Sequence, residues 1–193
     1  MNSTLFFSLV VCYFVCIYLV GHAYQDQNHK SISTIFQNCK NTILCYSIFL
    51  GVITLWYEYG RNDTTSFLSI VVLLLGIYGS ITIDEGLKIH YLFAVFAFLG
   101  ILTFMGRNAY LHFDSSSLGP ILFGMFGIVY FLAIYMISLL ILFPPNAFLS
   151  EEGEGEKKIE RRREERMDIY FLYSEVSFLF VFDIAYILLH FFS

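Results

Sequence analysis

Several ionisable side chains lie inside or at the ends of apolar stretches, where burying a charge is energetically costly. Glu175 and Asp183 stand eight residues apart in the last stretch, and His90 opens an earlier one after the acidic pair Asp84 and Glu85. Inside a membrane such groups face the helix bundle and are protonated, paired or hydrogen-bonded. They could hold a lipid headgroup or exchange a proton. They could equally form a buried hydrogen-bonded pair that fixes the order of the helices.

The elements that must position these residues are long apolar helices. Of the 193 residues, 58% are hydrophobic and 19% are aromatic, and a helix needs roughly 20 apolar residues to cross a bilayer. The predicted spans are residues 5–23, 42–60, 66–83, 88–106, 119–143 and 169–192. The sequence therefore predicts an all-α, polytopic membrane bundle of six transmembrane helices, with residues 1–193 forming a single transmembrane domain.

The first span has a second interpretation. Gly21 and Ala23 stand at the −3 and −1 positions of a signal-peptidase site, before a polar stretch. Against cleavage, no basic residue precedes the apolar run, and that run is long for a signal. We favour an uncleaved span, and the alternative is a mature protein with five crossings.

The alternation of spans predicts which polar residues meet. Loops 84–86 and 144–168 lie on the same membrane face, so His90 and Glu175 enter the bundle from the same side. We expect the two side chains to pair, with His90 titrating or donating hydrogen bonds and Glu175 orienting it. The acidic turn at Asp84 and Glu85 would set the local field, and Asp183 would lie near mid-span.

The sequence lacks the residue patterns that metal, haem, nucleophile and phosphate-binding sites require. The remaining histidines show no metal or haem spacing, and there is no nucleophile elbow or phosphate-binding glycine loop. We therefore expect no metal and no cofactor, and lean against an enzyme. Only 14% of residues are charged, with a net charge of −5, which gives no reason to expect a nucleic-acid partner. The glycines within spans, among them Gly76, Gly79, Gly100, Gly124 and Gly127, favour close helix packing.

One segment, residues 151–166 between the last two spans, is strongly charged, with seven Glu and six Lys or Arg. Its spacing of opposite charges suits a short solvated helix. It could bind anionic lipid headgroups, recruit a protein partner or act as a solvated connector, which we favour. The candidate headgroup ligands are Lys157, Lys158, Arg161, Arg162 and Arg163.

The stretch LLLGIYGSITIDEGLKIHYLFAVFAFLGILTFM, residues 73–105, resembles a known family of six-span membrane proteins. That family groups the damage-regulated autophagy modulators with the post-GPI-attachment lipid-remodelling factor. Asp84, Glu85 and His90 match its polar turn and histidine, and IYFLYSEVSFLFVFDIAY matches a glutamate in its sixth span at Glu175. The end of the second span, ITLWYEYGRND, is also similar.

The resemblance implies cytoplasmic termini and residence in endomembranes, namely the endoplasmic reticulum, Golgi or lysosome. It further implies a role in handling lipids or GPI anchors, or in autophagy-linked signalling. Counting basic residues favours the opposite orientation, and we favour the family's orientation. The leading hypothesis is a protein that binds or helps to remodel membrane lipids. The alternatives are a scaffold that recruits a partner through residues 151–166, and a small transporter or channel that uses Asp183.

Overall fold

The computed structural model describes residues 40–83, 87–115, 117–142 and 157–192, and every regular element in these ranges is an α-helix. The helices are α1 Lys40–Gly60, α2 Thr64–Thr82, α3 Lys88–Leu111, α4 Leu118–Leu142 and α5 Lys157–Phe192. All five are long and apolar enough to cross a membrane, α5 through its part Leu172–Phe191. The described chain thus has the character of a multi-pass membrane protein.

The predicted first span at 5–23, with its signal-peptide alternative, lies outside the described residues, so the described part accounts for five spans rather than six. Two predicted boundaries differ from the structure. The helix α3 continues to Leu111, although the loop was expected to begin at Arg107. The last helix, α5, begins at Lys157, earlier than the predicted span start at residue 169. The described part of the charged segment 151–166 is therefore helical, as its charge spacing suits, and runs unbroken into the membrane segment. In both places a charge ends the apolar run, whereas Arg, Lys and Glu are good helix formers and continue the helix.

The helices α2 and α3 form the most closely packed pair, and glycines allow their close approach. A Cβ atom on Gly100 would lie 2.6 Å from the backbone nitrogen of Leu73, and one on Gly76 would collide with the backbone of Ala97. These contacts confirm the predicted packing role for both glycines and for Gly79, which faces the ring of Phe93.

The same expectation fails for two other glycines. Among the described residues, no atom lies within 4 Å of a Cβ built on Gly124 or Gly127 of α4. Their outward position matches the rest of α4, where large apolar side chains such as Phe131 and Ile141 are about 70% exposed. Lipid is the solvent for this surface.

The remaining packing runs from helix to helix: α1 lies against α2, α3 against α4, and α4 against α5. An aromatic group that includes Phe104, Phe178, Phe182 and Tyr186 fills the centre of the bundle. The chain reverses at Arg61–Asp63 and after Leu111, which defines one end of the bundle as the Arg61 face. The opposite end, where α3 begins, is the His90 face.

Candidate functional site

A cavity of about 220 Å³ opens between α2, α3, α4 and α5 in the half of the bundle next to the His90 face. Its walls are almost entirely apolar and include Leu102, Ala133, Met136 and Phe178. Its polar lining side chains are Ser80, His90, Tyr91 and Glu175. Three of these four stand within a few residues of the ends of α2 and α3 at that face. The cavity therefore has a polar end near the membrane surface and an apolar interior.

The turn between α2 and α3 holds His90 in place. His90 lies in the first turn of α3, where its backbone N–H donates to the carbonyl of Leu87 at 2.9 Å. Its ring is buried, and Nδ1 lies 3.0 Å from the carbonyl oxygen of Ile83. A carbonyl oxygen only accepts, so Nδ1–H is the donor in this contact.

Glu175 is half-buried in the cavity wall on α5. The structure brings Glu175 and His90 to one cavity, as the alternation of spans predicts. The described hydrogen bond of the His90 ring joins its Nδ1 to the carbonyl oxygen of Ile83. The two residues therefore line one cavity, and their direct pairing stays a prediction.

The structure places the other predicted site residues elsewhere. Asp183 does not line the cavity: eight residues beyond Glu175, it is turned by about 80° around α5 and lies about 12 Å further along it. Asp84 and Glu85 lie outside the described residues. The backbone of Lys157, Lys158 and Arg161–Arg163 is helical, but their side chains also fall outside the described part.

A second polar site, at the Arg61 face, was missed by the sequence analysis. It centres on Glu58, whose side chain is fully buried in the last turns of α1. Its Oε2 accepts a hydrogen bond from Arg61 at 3.0 Å, and its Oε1 accepts one from the Tyr186 hydroxyl at 2.9 Å. The Nε2 atom of His190 lies 3.1 Å from the same Oε1. These contacts join α1 to α5.

The network continues into α2 and α3. Arg61 donates to Asn108 Oδ1 at 2.8 Å, and Asn108 Nδ2 donates to Ser66 Oγ at 3.1 Å. Ser66 in turn donates to Asp63 at 2.7 Å, and Asp63 pairs with Arg107 at 3.2 Å. We call these residues the Glu58 cluster: Glu58, Arg61, Asp63, Ser66, Arg107, Asn108, Tyr186 and His190.

Charges in the Glu58 cluster are balanced. Two carboxylates face two guanidinium groups, so the cluster is neutral when His190 is neutral. At Asp63, in the turn outside the spans, burial would raise the pKa of the carboxyl. The hydrogen bonds from Arg107 and Ser66 together outweigh burial and hold the pKa of Asp63 below its ordinary value.

His190 is the member of the Glu58 cluster that is least well satisfied. Its ring is fully buried between Tyr57 and Tyr186, with ring centroids 4.2 Å and 4.3 Å away. Among the described residues its Nδ1 has no hydrogen-bond partner, and its Nε2 contact with Glu58 is close but poorly aligned for a hydrogen bond. Proximity to the Glu58 carboxylate is thus the main polar contact of this ring.

The signal for the Glu58 cluster was present in the sequence. Glu58 is an ionisable residue inside a span, and Tyr186 and His190 stand four apart on one face of α5. The alternation of spans puts all three near the same membrane face.

The two sites have different chemical capacities. In the Glu58 cluster the polar side chains bond to one another, whereas the His90 cavity has space for a bound molecule. Within the described ranges, no group of three or more His, Cys, Asp or Glu residues is arranged to hold a metal ion.

Comparison with known proteins does not identify a function for these sites. No protein-family model matches the chain, no curated protein matches it, and no solved structure matches the fold. The resemblance to the autophagy-modulator and lipid-remodelling family therefore stays a hypothesis that rests on the residues quoted for it.

Proposed function

We propose that this protein binds a membrane lipid in the His90 cavity, with the headgroup near His90 and Glu175 and the tail between the apolar walls. The shape of the cavity carries the proposal. Its lining on α3 runs from His90 to Leu102, twelve residues and about 18 Å of helix. That length is close to half of a hydrocarbon core about 30 Å thick. The cavity thus has the depth of one leaflet, and its polar end and apolar interior correspond to the head and tail of a lipid.

The polar end must decide which lipid is bound. A lipid tail gains little by moving from the bilayer into an apolar cavity, because the two surroundings are equally apolar. Binding free energy and selectivity therefore come from hydrogen bonds and charges at Ser80, His90, Tyr91 and Glu175. A protein that presents such an end can hold a lipid for sensing, transfer or remodelling.

The finer parts of the proposal rest on the family resemblance. They are residence in the endoplasmic reticulum, Golgi or lysosome, and a part in lipid or GPI-anchor remodelling or in autophagy-linked signalling. Imaging of a tagged full-length chain beside organelle markers tests the compartment. Labelling at the plasma membrane alone would contradict it.

One observation favours a second candidate, a scaffold. The first fifteen residues of α5, from Lys157 to the membrane segment at Leu172, extend the helix by about 22 Å. This charged extension could bind a protein partner. Deletion of residues 151–166 separates the candidates, because a scaffold would lose its partner while lipid binding would continue. The transporter or channel alternative gains nothing from the cavity, whose walls are apolar.

Blocking the cavity tests the proposal. Ala94 lines it, and Ala94→Phe would place a ring in the space that the tail needs. Leu92→Phe on the same helix is the matched control, since Leu92 is half exposed to lipid and does not line the cavity. With purified protein in nanodiscs, we expect Ala94→Phe to lower labelling by a photoactivatable lipid about tenfold, equivalent to about 1.4 kcal/mol.

The control variant should be labelled like the wild type. Equal labelling of the wild type and Ala94→Phe, with both variants folded by size-exclusion chromatography, would contradict lipid binding in this cavity.

A further inference from the structure

We infer that a lipid enters the His90 cavity sideways from the bilayer, through an opening between α3 and α4 that is bordered by Val95, Leu99 and Ile137. We call this the lateral opening. The inference rests on the proposed lipid-binding function and adds the source of the ligand, which is the surrounding membrane. Three observations support it: the exposure of these side chains, the packing of α3 against α4, and the depth of the opening below the end of α3.

The exposure of the lining side chains locates the opening. A side chain that lines a cavity and is also exposed stands at the edge of that cavity. Among the described residues that line the His90 cavity, Val95 and Leu99 on α3 and Ile137 on α4 are 47% to 55% exposed. Other lining side chains such as Met136 and Phe178 are buried, and the described lining residues of α2 and α5 are buried or only partly exposed. The cavity therefore opens between α3 and α4.

The packing of α3 against α4 places two of these side chains opposite each other. Near the Arg61 face the helices are in contact, because a Cβ atom on Gly106 would lie 3.4 Å from the ring of Phe126. The two helices are antiparallel, and Val95 and Ile137 each stand eleven residues beyond that contact. They therefore lie at the same level, about 16 Å from it. At this level both side chains line the cavity, so the cavity reaches the gap between the two helices.

The depth of the opening decides what can pass through it. Val95 and Leu99 stand seven and eleven residues after Lys88, the first residue of α3, which is about 10 Å and about 16 Å along the helix. Half of a hydrocarbon core about 30 Å thick covers this range. The opening therefore faces acyl chains, and its border is made of Val, Leu and Ile. A lipid tail passes such a border without loss, whereas a polar solute from water would give up its hydrogen bonds.

Plugging the lateral opening tests the inference. The variants Val95→Cys and Ile137→Cys are made in full-length protein whose four native cysteines are replaced by alanine, and each is reconstituted in liposomes. Pyrene maleimide, a bulky apolar reagent, modifies the new thiol. Two photoactivatable probes, a monoacylglycerol and a phosphatidylcholine with a diazirine in the chain, are delivered to the bilayer by cyclodextrin. Photolysis at intervals and mass spectrometry then follow adducts at Met136, a buried lining residue.

The order of modification and loading gives two opposite readouts. Modification before loading should slow the appearance of Met136 adducts about tenfold, equivalent to about 1.4 kcal/mol of barrier. Modification after loading should trap the probe, so that Met136 adducts persist about tenfold longer during a chase with unlabelled lipid. Slower entry together with slower release is the result of a blocked route, whereas a change that only weakens binding speeds release.

Val52→Cys is the matched control for the two variants. Val52 is an exposed valine of α1, and α1 contributes no described residue to the lining of the cavity. Its modification by pyrene maleimide should change neither the rate of loading nor the rate of release. Size-exclusion chromatography of each modified protein checks that it is folded.

The possible failures are distinguishable. If pyrene at Val95→Cys and Ile137→Cys changes neither rate, or changes both no more than pyrene at Val52→Cys does, the lateral opening is overturned while lipid binding stands. If neither probe gives more Met136 adducts in the unmodified cysteine-free protein than in its Ala94→Phe variant, the inference and the proposed function fail together.

Discussion

The two ends of the bundle differ in how their buried polar side chains are surrounded. At the Arg61 face, Glu58 is fully buried and receives hydrogen bonds from Arg61 and Tyr186. At the His90 face, His90 and Glu175 lie around a cavity that no described side chain fills. The comparison shows that a buried charge in a membrane helix does not by itself indicate a binding site. What matters is whether its surroundings are already filled.

Packing gives a reason for the difference. The helix α1 packs along α2, and at the Arg61 face it contacts α5 through Glu58 with Tyr186 and His190, and through the ring of Tyr57 against His190. Polar groups within a membrane are satisfied inside the protein. The Glu58 cluster therefore stabilises the arrangement of four helices. At the His90 face, the closely packed α2–α3 pair positions the polar residues.

The largest expected effect comes from removing Glu58. The Glu58→Ala variant leaves Arg61, Tyr186 and His190 without their shared acceptor. Breaking a buried ion pair in this way costs about 3–5 kcal/mol. We expect the free energy of unfolding in mixed detergent micelles to fall by about this amount. A Glu58→Ala protein as stable as the wild type would contradict the structural role of the Glu58 cluster.

Tyr186→Phe, at the same end of the bundle, should lower the free energy of unfolding by a smaller amount. The substitution keeps the ring that packs against Phe104 and Phe182 and removes the hydroxyl that donates to Glu58. Loss of a hydrogen bond to a charged group costs about 1.5–3 kcal/mol. Unfolding in the same micelles measures the loss. Tyr173→Phe is a suitable control, since Tyr173 is 61% exposed on α5. No difference between the two variants would show that the Tyr186 hydroxyl contributes nothing to the cluster.

Acid should produce the smallest effect, through Asp63. The pKa of Asp63 is lowered in the folded protein, so the Asp63–Arg107 interaction stabilises the fold above the ordinary carboxyl value of 3.8. This stabilisation is lost as the pH falls from 3.8 through the lowered pKa. Arg107 is one-third exposed, and solvent screening limits the contribution to about 1 kcal/mol or less.

The measurement is the pH dependence of unfolding for the wild type and for Asp63→Asn. The wild type should lose stability over this acid range by more than the variant does. Identical slopes in the two proteins would show that Asp63 makes no such contribution.

Much of the fold followed from hydropathy, because a membrane span has a fixed length and composition. Both ends of α2, the end of α1 and the start of α4 fall within about two residues of the predicted ones. The shared location of His90 and Glu175 also followed, since alternating spans place both at one face. Gly76 and Gly100 were identified by residue type, because small residues allow helices in membranes to approach closely.

The Glu58 cluster could not be assembled from the sequence alone. Its contacts require α1 and α5 to meet at one end, and hydropathy does not determine which helices are neighbours. Its other part depends on Arg107 and Asn108, which belong to the last turns of α3 and not to the expected loop. The apolar run ends at the first charge, whereas the helix continues into the membrane interface, where an Arg can keep its charged head near water.

The most direct test of the central claim is to map where a bound lipid lies. A monoacylglycerol with a diazirine near the end of its chain would be photolysed with the full-length protein in nanodiscs, and adducts located by mass spectrometry. Binding in the His90 cavity predicts adducts at deep lining residues such as Leu102 and Met136. Adducts confined to outward-facing residues such as Phe131 and Ile141 would contradict it and show that lipid only surrounds the bundle.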